Sequence, residues 1–201
     1  MNPHRETPET PVTVDEMRPH LFAALPHLRA FAISLTGDVD HADDLVHEAI
    51  VRALSHLHQF ERGTNFQGWM FTILRNQFHT IYRKRRREVE DTDGVYAARL
   101  AVAPEQGSYL ELDDLQKALG KLSVEQREAI LLVAAEGLTY EETAEICGTK
   151  VGTIKSRVNR ARNRLEELLG YDDADEVGPG ATVLAVLADR AEVSSYQAVA
   201  I

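Results

Sequence analysis

From Lys155 to Arg164 the sequence sets out Lys155, Ser156, Arg157, Asn159, Arg160, Arg162 and Arg164 with no acidic residue among them. Lys, Arg, Asn and Ser side chains are the donors that pair with base edges and phosphate oxygens, so this stretch has the chemistry of a nucleic-acid contact. A solvated basic face on an ordinary bundle helix is the plain alternative. Such faces usually mix signs, because Glu to Lys pairs four apart support a helix, and here the first acid is Glu166. In helix-turn-helix docking the first turns of the second helix reach the bases. Lys155, Ser156, Asn159 and Arg160 are therefore the candidate readers, with Arg157, Arg162 and Arg164 on phosphates.

Those side chains need a helix and a partner helix to aim it. Ile154, Val158, Ala161, Leu165 and Leu168 recur at alternating steps of four and three, an apolar stripe that turns the basic residues outward. Upstream, Thr139 and Glu142 have the spacing of a capping box, and Ala144, Gly148 and Ile154 that of a close contact, a tight turn and an apolar anchor. Thr139 to Arg164 thus reads as a helix-turn-helix. Another capping box, Ser123 with Gln126, opens a preceding helix that Gly137 stops, and Leu112, Leu115, Leu119 and Leu122 begin the same bundle.

A second constellation lies in the first half. The stretch FERGTNFQ, Phe60 to Gln67, leads into a helix with Phe66, Trp69, Met70, Ile73, Leu74, Gln77, Phe78 and Ile81 on its predicted buried side. Its other side carries Thr72, Arg75, Asn76, His79, Arg83 and Arg87, so Asn76 shares a face with the start of the run Arg83, Lys84, Arg85, Arg86, Arg87. Polar groups, aromatic surfaces and cations together suit single-stranded nucleic acid. Phe78 and most of the Trp69 ring read as core. Phe60, in the loop, is the aromatic expected to be free for a base.

A third surface is acidic. Leu21, Leu25, Leu28, Phe31 and Leu35 predict a first helix ended by Gly37, and Asp40 is placed to cap the next. In that second helix Leu45, Ala49, Ile50, Ala53, Leu54 and Leu57 face inward and leave Asp43, Asp44, His47, Glu48 and Arg52 outside. On periodicity alone, this is a solvated face with acids near a helix start.

The net charge of −10 over 201 residues argues by itself against a nucleic-acid binder. Yet the two basic runs hold ten of the 22 Lys and Arg residues, which leaves −20 for everything else. The positive charge is concentrated. The single cysteine, Cys147, excludes an internal disulfide and reads as a small core residue. No apolar run approaches a membrane span and no signal peptide is visible, which predicts a cytoplasmic protein. No GxxxxGK, nucleophile elbow or cysteine cluster points to an enzyme. His56 and His58 are two apart, which on a helix directs them about 200° from each other rather than toward one metal. No cofactor is expected.

The expected fold is all-α, with two small helical domains, each with its own core, joined by a flexible linker. The divisions are a loose terminus over 1–14, a first bundle over 15–88, a linker over 89–108, a helix-turn-helix domain over 109–170 and an extension over 171–201. A linker of about twenty residues spans up to roughly 65 Å, which would let the two basic modules sit apart on one duplex. The extension carries DDADE, a GPG break and an Ala and Val rich segment. It reads as a frayed tail or short helix, or as a regulator-binding or self-masking segment.

The order DHADDLVHEAIVRAL, FQGWMFTILRN, a basic run, a linker, LSVEQREAILL, LTYEETAEI and VGTIKSRVNRAR resembles the extracytoplasmic-function (ECF) sigma factors of the sigma-70 family over roughly Leu21 to Leu169. AEICGTKVGTIKSRVNRARNRL is further similar to the EcfG-type factors of the alphaproteobacterial general stress response. The resemblance implies a non-catalytic subunit that brings bacterial core RNA polymerase to promoters and assists their opening. By matching motifs, Asp43, Asp44, Leu45, Val46 and Glu48 would bind the coiled coil of the polymerase β′ subunit, in place of the solvated reading. Phe60, Gly63, Thr64, Asn65, Phe66 and Asn76, with Arg83, Lys84, Arg85, Arg86 and Arg87, would hold the −10 element single-stranded. Lys155, Ser156, Arg157, Asn159, Arg160 and Arg162 would read the −35 element as duplex. An anti-sigma factor is an implied partner.

Two other readings compete. A sigma-like decoy would bind only the anti-sigma factor, but the chain has no room for a receiver domain beside two sigma modules. An ordinary helix-turn-helix regulator would need a ligand pocket in the first bundle, whose polar residues lie on outer faces.

Overall fold

The computed structural model describes residues 12–90 and 110–169, with side chains over 12–83 and 114–169, and among these the chain is helical with no strand. α1 is Val14–Thr36, α2 Val39–Ser55 and α3 Phe66–Glu90, with a short 3₁₀ turn at Leu57–Gln59. α4 is Leu110–Gly120, α5 Val124–Ile130, α6 Tyr140–Cys147 and α7 Val151–Leu169. The linker and extension expected at 89–108 and 171–201 lie almost wholly outside the described residues, as does 1–11 of the loose terminus.

Local signals set most of the helix ends. Ser123 with Gln126 and Thr139 with Glu142 form reciprocal capping boxes, and Gly148 takes a left-handed φ of 60° in the turn between α6 and α7. Two starts differ from expectation. α1 begins at Val14 rather than near Leu21, because Thr13 and Glu16 make a third capping box. α2 is capped by Asp38, whose side chain accepts from the His41 amide at 2.8 Å, and not by Asp40. After α5 the helix widens into a π turn at Leu131–Ala135, which resets the side-chain register before Gly137 ends it.

α1, α2 and α3 pack as a three-helix bundle, and α7 lies across α4, α5 and α6. Here the expectation of two separate cores is corrected. α3 rests on α6, and α1 on α5 and α4, so the buried apolar residues form one cluster from Ala24 to Leu165. Phe71, which the predicted inner stripe of α3 omits, is fully buried edge-on against Phe31 at 5.1 Å between ring centroids. α3 has two covered sides because the second module sits on the face that periodicity alone leaves to solvent.

Candidate nucleic-acid interface

α7 meets the turn at Gly148 and is anchored by Ile154, Val158, Ala161 and Leu165, all nearly or fully buried. Lys155, Asn159 and Arg160 are exposed on its outer side, and Ser156, Arg157 and Arg162 are half-buried. Lys155 Nζ lies 5.7 Å from the centre of the Tyr140 ring, a cation-π contact that holds it near the start of the helix. Arg160 donates to Ser156 Oγ one turn back. Arg164 is engaged by Glu167 at 2.7 Å. The first turns of α7 therefore present donors outward, with α6 beneath them. Cys147, at the end of α6, is buried, and desolvation pushes its thiol up to about 11.

The loop before α3 is arranged differently from the expectation. Phe60 is only 7% exposed, packed edge-on to Phe66 at 5.3 Å and tilted on Trp69 at the same separation, so it is part of the core rather than an aromatic free for a base. Its ring packs on the first turn of α3. Phe66 and Trp69 are half-buried beside it. Gly63 takes φ 82°, a left-handed turn that favours glycine, and Thr64 donates to the Glu61 carbonyl at 2.7 Å. Asn65 starts α3: its Oδ1 accepts from the Gly68 amide at 3.0 Å. Asn76 is exposed, and Arg83, also exposed, donates through Nε to the His79 carbonyl. The side chains of Lys84, Arg85, Arg86 and Arg87 lie outside the described residues.

What the sequence analysis missed is what lies over this loop and over α3. Glu128 of α5 has no exposed surface; its two carboxylate oxygens take Arg75 Nε at 3.0 Å and His79 Nε2 at 2.7 Å. Glu136, after the π turn, meets Gln67 Nε2 at 3.0 Å and His27 Nδ1 at 2.9 Å on one oxygen. Glu142 of α6 accepts from Asn65 Nδ2 at 3.1 Å and also caps its own helix, and these bonds hold its carboxyl below the usual range. Arg127, buried, donates to the Ser34 carbonyl of α1 at 2.9 Å and to the Gly120 and Leu122 carbonyls. The signal available beforehand was small: an acid at Glu128 next to the apolar run AILL.

On α2 the acidic face is divided. Asp43, Asp44, His47 and Glu48 are exposed, but Leu45 and Val46 are 2% and 7% exposed, so these two belong to the core and not to the outer face. Both belong to the buried apolar cluster. Asp43 is held by Arg29 of α1 through two hydrogen bonds of 2.7 and 3.2 Å, while Asp44 and Glu48 make no cross-helix ion pair among the described residues. His56 and His58 also differ from expectation. α2 ends at Ser55, so His56 and His58 are not on one helix and their rings stack at 6.2 Å. No group of three potential metal ligands occurs among the described residues, and none of their helices is long and apolar enough to cross a membrane.

Residues 21–88 match the family described as Sigma-70 region 2, and residues 112–165 the one described as Sigma-70, region 4. The chain is 55% identical over 173 residues to the ECF RNA polymerase sigma factor EcfG of Rhodopseudomonas palustris, with 86% of this chain and 96% of the relative aligned. Its structure is similar to that of the sigma factor RpoE of Bartonella quintana, solved with the anti-sigma factor NepR, at a TM-score of 0.74 and 51% identity; the match covers 80% of this chain and all of the other. A further likeness is to CnrH, solved with the cytosolic domain of CnrY, at a TM-score of 0.54 and 28% identity over 79% of this chain and 88% of the other. The helix-turn-helix that presents α7 is the region 4 match and the α1 to α3 bundle the region 2 match, and the chain belongs to the ECF sigma factors of the sigma-70 family.

Proposed function

We propose that this chain directs core RNA polymerase to promoters in the cytoplasm, with each module making its own contact and no chemistry of its own. α7 reads the −35 element through Lys155, Ser156, Asn159 and Arg160, while Arg157 and Arg162 hold phosphates. Asn65, Phe66, Asn76 and the basic run from Arg83 to Arg87 hold the opened −10 strand, with Gly63 and Thr64 shaping the loop; Phe60 supports that loop from beneath. Asp44 and Glu48, with Asp43 beside them, meet the β′ coiled coil. The observation that carries the reading is the outward, acid-free start of α7 above a capped helix-turn-helix, in one chain with the region 2 bundle. By analogy with its relatives the factor serves the general stress response and is held by an anti-sigma factor.

The test is in-vitro transcription with purified bacterial core polymerase on a library of promoter fragments, with and without this protein. Selective initiation supports the proposal. Core binding without initiation favours the decoy, and duplex binding that ignores the core favours an ordinary regulator.

A further inference from the structure

The loop ahead of α3 is tied to α1 at its middle. Glu61, Arg62, Gly63, Thr64 and Asn65 are all exposed, and none of them buries an apolar side chain. Phe60 and Phe66 hold the two ends, with their rings 5.3 Å apart. Between them Arg62 reaches the first turn of α1, where Nη1 donates to one oxygen of Glu16 at 2.6 Å and Nη2 to the other at 2.9 Å. The same carboxylate accepts from the Thr13 amide at 3.2 Å to close the capping box. His20, one turn further along α1, sets its ring 6.1 Å from that of Phe66. One carboxylate thus serves both the helix start and the loop. Its capping bond fixes its direction, and the planar guanidinium that meets it through two bonds fixes the loop in turn.

We propose that Glu16 is a positioning residue for the −10 contact, holding through Arg62 the loop that places Asn65 and Phe66 for a single-stranded base. This rests on the promoter-binding reading above. Left untied, five exposed residues sample many backbone arrangements, and a base that must select one of them is bound more weakly and distinguished less sharply from other bases. Isolated surface ion pairs contribute little, because two long side chains must both be held in one geometry. Here the capping box already holds one of the two. The pair also lies wholly within the first module, whereas Asn65 Nδ2 is engaged by Glu142 of α6. Glu16 stands ahead of residues 21–88, outside the region 2 match.

The experiment uses the full chain with core polymerase on a promoter that the transcription library yields, and on the same promoter with each −10 position substituted in turn. The readout is discrimination, the ratio of initiation on that promoter to initiation on its −10 variants, for Glu16→Ala, Arg62→Ala and the double variant. Arg62→Ala leaves the capping box intact, so its melting temperature should hold. Positioning requires that each single change lower discrimination by about tenfold and that the double lower it no further, since either change breaks the same contact. The loss stops short of the roughly hundredfold that a misplacement of about 1 Å can cost, because Phe60 and Phe66 still hold the ends. A merely destabilised fold lowers initiation on every template alike, and an unchanged ratio in all three variants overturns the proposal while leaving the promoter reading in place. A loss in Arg62→Ala alone makes Arg62 a direct DNA contact, and a loss in Glu16→Ala alone makes the effect a fraying of α1; either result overturns positioning. If the parent itself does not initiate selectively, the promoter-binding reading fails and positioning with it.

Discussion

His27 Nδ1 on α1 lies 2.9 Å from an oxygen of Glu136, the residue that follows the π turn of the other module. A histidine of the first bundle is thereby tied to an acid more than a hundred positions away. The hydrogen bond to Glu136 raises the His27 pKa above its ordinary value against the opposing effect of burial.

The sign of the pH dependence follows. A histidine whose folded value is raised contributes stability in full below its unfolded value of about 6.5, and loses it as pH rises through the folded value. The melting temperature should therefore fall as pH rises from about 6.5 through the raised folded value, and His27→Gln should flatten that fall. The other histidines contribute their own slopes, so the measurement is the difference between parent and variant. Equal slopes would mean that the His27 contact with Glu136 contributes nothing to stability.

Phe60 separates a packing role from a recognition role. At 7% exposure, between Phe66 and Trp69, its removal should cost about 3 kcal/mol by urea unfolding, as for other buried aromatics. Phe60→Leu should recover much of that stability and, with it, the promoter opening lost in Phe60→Ala. An aromatic needed for base stacking would instead lose opening in Phe60→Leu while remaining stable.

Lys155→Ala and Arg160→Ala should each lower promoter use by about tenfold or more, the scale of one lost base contact, with core-polymerase binding unchanged. Both side chains lie outside the core, so melting temperatures should hold. A parallel loss of core binding would place the defect in folding. Transcription from a promoter series and co-elution with core polymerase measure the two separately.

Asp44→Arg should do the reverse. Asp43 is already paired with Arg29, so reversing its charge would break a contact within the bundle as well as alter the surface. Asp44 avoids that confusion. Co-elution with core polymerase should be lost while duplex binding by α7 persists; retained core binding would remove this face from the polymerase contact.

Legibility followed the range of the signal. The boxes at Ser123 and Thr139, the turn at Gly148 and the stripe from Ile154 to Leu165 depend on residues three to eight apart, and each was readable. Phe60 was misplaced because a loop position carries no periodicity to show which way its ring turns. Leu45 and Val46 were assigned by motif, although their apolar character agrees with the core they occupy. Arg75 and His79 read as outer residues of α3, since their partner Glu128 lies about fifty positions downstream beyond the linker. Nothing within one helix period announces that pairing. The whole seam between the modules has this character: donors and acids that each look solvated, and become a contact only when two bundles meet.

The basic run from Arg83 to Arg87 follows His79 along α3, so single-stranded DNA that reaches Asn76 would meet it next. Each phosphate contact releases counterions and contributes about 0.7 to the salt slope for a single strand. Replacing the five residues by Gln should therefore lower the slope of log affinity against log salt by up to about 3.5, with affinity itself falling most at low salt. An unchanged slope would remove the run from the interface.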